Sequence, residues 1–125
     1  MTGDPEQVEK PDFRAASYLT VAQFHRLDWA CRPIHRAFDC APYLVGSVQT
    51  RPDFRDVDLR LPMGRNERWH GSEFVLEDKA QLLVLNIAIS ELLRSQTGLP
   101  IDFQFQSLDE WEQYDTPRRN PMGVR

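Results

Sequence analysis

Lysine is scarce. Only Lys10 and Lys79 stand against thirteen arginines in a chain of 125 residues. Cationic contacts therefore favour the planar guanidinium, which grips carboxylate or phosphate bidentately, over diffuse ammonium charge. Cysteine is almost absent as well. Cys31 and Cys40 form no CxxC and share no zinc-ligand spacing with His25, His35 or His70, so a zinc module is not expected and buried, reduced thiols are. No long hydrophobic run exists either. The longest, Leu82 to Ile89, contains Asn86 and falls far short of the roughly 18 residues of a membrane span. The opening MTGDPEQVEK has no apolar stretch of the kind a secretory signal needs, which predicts a cytoplasmic protein without a membrane partner. Nor does either sign of charge dominate. Fifteen Lys+Arg against nineteen Asp+Glu leave a formal charge of -4, so any polyanion must be met by a local patch.

With 41% hydrophobic and 27% charged residues, this length and composition suit one domain with one core. Residues 1 to 16 read as a flexible N-terminal arm, 17 to 115 as the folded domain, and 116 to 125 as an irregular tail.

The first helix starts at Thr20, an N-cap with Gln23 three residues on, and carries Val21, Phe24, Leu27 and Cys31 on one side. Pro33 is expected to kink it or to begin a second helix. Tyr43 to Val48 reads as a buried strand broken at Gly46-Ser47, and QTRPDFR as a turn. Asp56 to Leu61 alternates polar and apolar residues, a half-buried strand. Residues 62 to 76 form a polar connection with a short strand expected at Phe74 to Leu76. Asp78 caps a helix over Lys79 to Gln96 whose apolar residues cover most of its circumference, predicting a central position. Gly98 and Pro100 end it, and Ile101 to Gln106 alternates as a third strand. Ser107 and Glu110 form a capping box for a last helix through Trp111 and Tyr114. The predicted fold is α+β, a small mixed sheet with helices packed on it in the order α-β-β-α-β-α.

Asp56 and Asp58 lie roughly 7 Å apart on one side of a strand, because strand side chains alternate with period two. Unpaired carboxylates so placed repel and bind protons more tightly unless a cation intervenes. Hard divalent ions use such acids together with substrate phosphate oxygens. Asp102, in phase with Gln104 and Gln106, would join them if the third strand paired alongside. Gly46 would let a phosphate approach the backbone, and the Ser47 hydroxyl could hold it.

At these residues the chain resembles a known family. Leu44-Val45-Gly46-Ser47, then Asp56-Val57-Asp58-Leu59, then Ile101-Asp102-Phe103, are similar to the signature of the nucleotidyltransferase superfamily of DNA polymerase β and the minimal nucleotidyltransferases. The resemblance spans residues 43 to 106 and extends to short single-domain versions encoded by bacteriophages. It implies Mg²⁺, or Mn²⁺ in its place, at Asp56, Asp58 and Asp102, and a nucleoside triphosphate held through Gly46 and Ser47. The implied reaction transfers a nucleoside monophosphate to an acceptor hydroxyl of RNA, protein or a small molecule, releasing pyrophosphate. Two features depart from the family: only Val48 to Arg55 separates Ser47 from Asp56, a short linker, and no base-selecting domain is visible.

Around this core of candidates, Arg60 shares the carboxylate face and Arg51 lies beside the phosphate turn, so both are candidate substrate contacts, as is Gln104. The competing reading for the acids is an ordinary strand face ion-paired to Arg55 and Arg60, and for Arg55, Arg65 and Arg68 it is local neutralisation by Asp53, Asp56, Asp58 and Glu67. His70 beside Trp69 could stack on a base, although a loop histidine is usually inert. Trp29, Phe38, Phe105 and Trp111 read as core or interface aromatics, and Arg118 and Arg119 as tail residues that could fold over the site. The rival functions are a partner-binding protein of the antitoxin-like or host-inhibiting kind, without turnover, and a metal-dependent nuclease.

Overall fold

A computed structural model describes residues 17–113 and 119–125. The expected N-terminal arm, Tyr114 and Arg118 lie outside the described residues. Helix α1 spans Val21–Phe38. Its start is held by the reciprocal cap, with the Gln23 amide donating to Thr20 Oγ1 at 3.1 Å and the Thr20 amide to Gln23 Oε1 at 2.9 Å. Pro33 starts no second helix: one helix runs through it, and the proline lies on the exposed side. There the backbone carbonyl that a proline leaves unpaired is within reach of water.

Four strands follow: β1 Tyr43–Val45, β2 Val57–Met63, β3 Ile101–Ser107 and β4 Asn120–Pro121. The sheet order is β3-β2-β1-β4, with β2 and β3 parallel and β1 antiparallel to both of its neighbours. A parallel neighbour requires a crossover, which helix α2, Lys79–Thr97, supplies. The Asp78 side chain and Gly98, at φ 72°, cap that helix as expected. Helix α3, Leu108–Gln113, opens on the Ser107–Glu110 box, with bonds of 2.9 and 3.1 Å. Among the described residues the fold is a small α+β arrangement of three helices and a four-stranded mixed sheet.

Several boundaries differ from expectation. The first strand stops at Val45, and Val48 falls in a short 3-10 turn, Ser47–Gln49. Asp56 precedes β2, which instead continues through Pro62 to Met63. Proline is tolerated there because β1 pairs only with Asp58 to Arg60, so no ladder bond to β1 is lost at Pro62. Phe74 to Leu76 form no strand; the connection is pinned by the Ser72 amide on the Pro62 carbonyl at 2.8 Å and the Gly64 amide on the Ser72 carbonyl at 2.7 Å. Part of the segment read as irregular supplies β4. Buried Asp28 of α1 anchors it, accepting from the Gly123 amide at 2.7 Å and pairing with Arg125 at 3.1 Å.

Leu44, Leu59 and Phe103 stand in register on one sheet face and are buried against Leu27 and Ile34 of α1 and Leu93 of α2. The opposite face carries Tyr43, Asp58, Arg60, Asp102 and Gln104. Helix α2 is not central. It lies along the free edge of β3, and its Leu83, Val84, Ile87 and Leu92 are exposed. Three of its side chains, four residues apart, satisfy that edge. Arg94 Nε donates to the Ile101 carbonyl at 2.8 Å, Ser90 Oγ accepts from the Phe103 amide at 2.9 Å, and Asn86 Oδ1 accepts from the Phe105 amide at 3.0 Å. Four helical residues rise about 6 Å and two strand residues about 6.6 Å, so the two spacings match. Among the described residues no helix is long and apolar enough to cross a membrane.

Candidate functional site

The turn after β1 is shaped by Gly46, whose φ of 81° an L side chain rarely adopts. A Cβ at this position would press into the Asp58 carboxylate, its carboxyl carbon only 3.2 Å away. Glycine is thus required twice here, by dihedral and by space. The turn is anchored from beneath by Gln49, whose Nε2 donates to the Leu44 carbonyl at 3.0 Å. Ser47 follows with its side chain partly exposed, and its carbonyl accepts from the Arg51 amide at 2.8 Å.

Asp58 faces this turn, opposite Val45, and Asp102 is its register partner across the parallel β2–β3 pair. Arg60 occupies the space they share. Its Nη2 lies 3.3 Å from Asp102 Oδ2 and 3.9 Å from Asp58 Oδ1, while Nη1 donates to the Asp102 carbonyl at 2.7 Å. Gln104 Nε2 supports Asp102 from below at 3.3 Å. Desolvation lifts the Asp58 carboxyl above the ordinary carboxylate range, aided by Asp102 and Asp56 and opposed by Arg60.

Ser47, Arg51, Asp56 and Asp58 border one cavity of about 260 Å³. Asp102 and Gln104 instead border a larger, mainly apolar cavity of about 860 Å³ between α2 and β3. Arg51 is engaged by exposed Asp53 through two bonds of 3.1 and 2.9 Å, a pairing the sequence reading had not made. The structure thus brings Ser47, Arg51, Asp56 and Asp58 to one cavity, sets Gly46 against Asp58, and links Asp102, which Gln104 contacts, to Asp58 through Arg60.

Carboxylates are the right donors for a hard divalent ion. Asp56 and Asp58 both border the Ser47 cavity and offer carboxylate oxygens of the kind such an ion takes. Among the described residues no three His, Cys, Asp or Glu side chains are grouped to hold a metal, and the Arg60 guanidinium lies within 4 Å of both Asp58 and Asp102.

Sequence reasoning also missed the aromatic corner beside Arg60. Tyr43, the register partner of Arg60, packs edge-on against Trp111 at 5.2 Å, and Trp111 against Trp69 at 5.8 Å. Arg119 lies over both indoles, at 4.0 Å from Trp111 and 5.1 Å from Trp69. His70 stays exposed in the loop. No family model, curated protein or solved structure matches the chain.

Proposed function

We propose that the protein is a metal-dependent nucleotidyltransferase acting through the open sheet face. The observation that supports this most is the register of Asp58 with Asp102 beside a glycine whose missing side chain leaves room for the Asp58 carboxylate. Mg²⁺, or Mn²⁺ in its place, would be held by Asp56 and Asp58 and would offset the charge of a triphosphate. The Gly46-Ser47 turn receives the phosphates, with the Ser47 hydroxyl as a hydrogen-bonding group. Arg60 steadies charge on the transferring phosphoryl group. Asp102 takes the proton from the acceptor hydroxyl as its oxygen attacks the α-phosphorus and the bond to pyrophosphate breaks.

A second reading is favoured by one contact. Arg60 already serves as a cation for Asp58 and Asp102, which suits a partner-binding protein that keeps the constellation without turnover. Thermal melts with each NTP, with and without Mg²⁺, together with pyrophosphate release in the presence of cell RNA and protein, separate the two. The enzyme reading expects Mg²⁺-dependent stabilisation and pyrophosphate release, both abolished by Asp58→Asn. Absence of both leaves the binding reading.

A further inference from the structure

The exposed side of α1 is unlike the rest of this acidic molecule. At about 100° per residue, the outward direction of the helix is centred on Trp29, with His25, Arg26, Arg32 and Arg36 within roughly 60° of it. The opposite side carries the buried residues Phe24, Leu27, Asp28, Cys31 and Ile34. The one aspartate of the helix is therefore turned inward, and the outward face holds no acid.

Trp29 is 66% exposed, an unusual state for so large an aromatic side chain in a chain with twenty buried residues in one core cluster available to receive it. Arg32 lies over its ring at 4.4 Å, and the same guanidinium donates from Nη2 to the Arg125 carbonyl. Arg26 and Arg36 have no acidic partner among the described residues. Their Cα atoms stand about 15 Å apart along the helix, with Trp29 between them. Next to Arg32 and Arg36 a cavity of about 500 Å³, bordered also by His35 and by Asp39 at the end of the helix, opens toward Arg125.

From this juxtaposition we propose that the outer face of α1 is a binding site for single-stranded nucleic acid: Arg26, Arg32 and Arg36 engage phosphates and Trp29 stacks on an unpaired base. Charge complementarity selects a polyanion in a molecule of net charge -4. The exposed indole selects one with stackable aromatic rings, which a run of Asp and Glu lacks, and a stacked duplex does not offer its bases. The site lies on the far side of the helical layer from Asp58, so it is independent of the proposed catalytic reading.

Fluorescence anisotropy of a short, mixed-sequence, fluorescein-labelled single-stranded RNA against the full chain tests this. Binding is expected to weaken with salt with a log–log slope of about -2, from three phosphate contacts at roughly 0.7 each. Trp29→Ala should weaken it about tenfold, Trp29→Phe much less, and Arg26→Ala should reduce the steepness of the salt slope by about 0.7. Asp58→Asn should leave it unchanged, which keeps this result separate from the fate of the nucleotidyltransferase reading. Lack of RNA binding at low salt, equal affinity of Trp29→Ala, or displacement by polyglutamate as effective as by unlabelled RNA would overturn the proposal. In the last case the face reads acidic protein instead.

Discussion

Gly46 and Asp58 are fitted to one another across the β1–β2 pair: the volume that a side chain on Gly46 would need is taken by the Asp58 carboxylate. Gly46→Ala therefore carries two penalties, a left-handed backbone that disfavours Cβ and a collision that must push Asp58 aside. A loss of about 2 kcal/mol or more in urea unfolding is expected, whereas Ser47→Gly, in the same turn, should cost well under half of that.

In metal-free buffer Asp58→Asn should stabilise the protein at neutral pH. Burial raises the Asp58 proton affinity in the folded state, so the native protein binds more protons than the unfolded chain just above the normal carboxylate range. Stability then falls as pH rises through the folded value, and the neutral amide removes that loss. Thermal melts with chelator should give a higher melting temperature at neutral pH, the gain shrinking toward acid pH. A lower melting temperature would instead mark the Arg60 contact as a net stabilising ion pair.

Alternation made β2 and β3 legible: DVDLRL and IDFQFQ can bury only one side of each strand, and the capping residues Thr20, Asp78, Gly98 and Ser107 act where they were expected. Hydrophobic content misled at α2. Leu83, Val84 and Ile87 raise its apolar count, yet a helix seated at a sheet edge has only one side to bury. Two-residue β4 has no period to detect, and its position depends on distant Asp28. At the site, spacing put Asp56 and Asp58 on one side, but only the strand register could reveal that Arg60 reaches both Asp58 and Asp102.

Ser90→Ala should remove the hydroxyl that serves both the amide and the carbonyl of Phe103 in a buried setting. A buried amide without a partner costs about 1–3 kcal/mol, so the denaturation midpoint should drop accordingly. Asn86→Leu should act similarly at Phe105, and the doubly substituted protein, with two edge amides unsatisfied, should associate by size-exclusion chromatography as concentration rises.

Alkaline stability should depend on the thiols. Burial pushes Cys40 up to about 11 from its ordinary 9.0, and burial with nearby Asp28 pushes Cys31 higher still. Between those values the unfolded chain releases thiol protons that the native state keeps, so stability falls with rising pH by up to about 1.4 kcal/mol per unit for each thiol. Urea titrations across this range should show a shallower decline for Cys40→Ala than for the parent protein.

The polar comb of α2 also decides where an acid ends up that it does not hold. Because Asn86, Ser90 and Arg94 mesh with every second backbone group of β3, sliding the strand by a single residue would disengage all three teeth together and turn Asp102 toward the oily interior. Alignment of the charged face is thus dictated from behind, and damage to the comb would scramble that face while every residue on it remained intact.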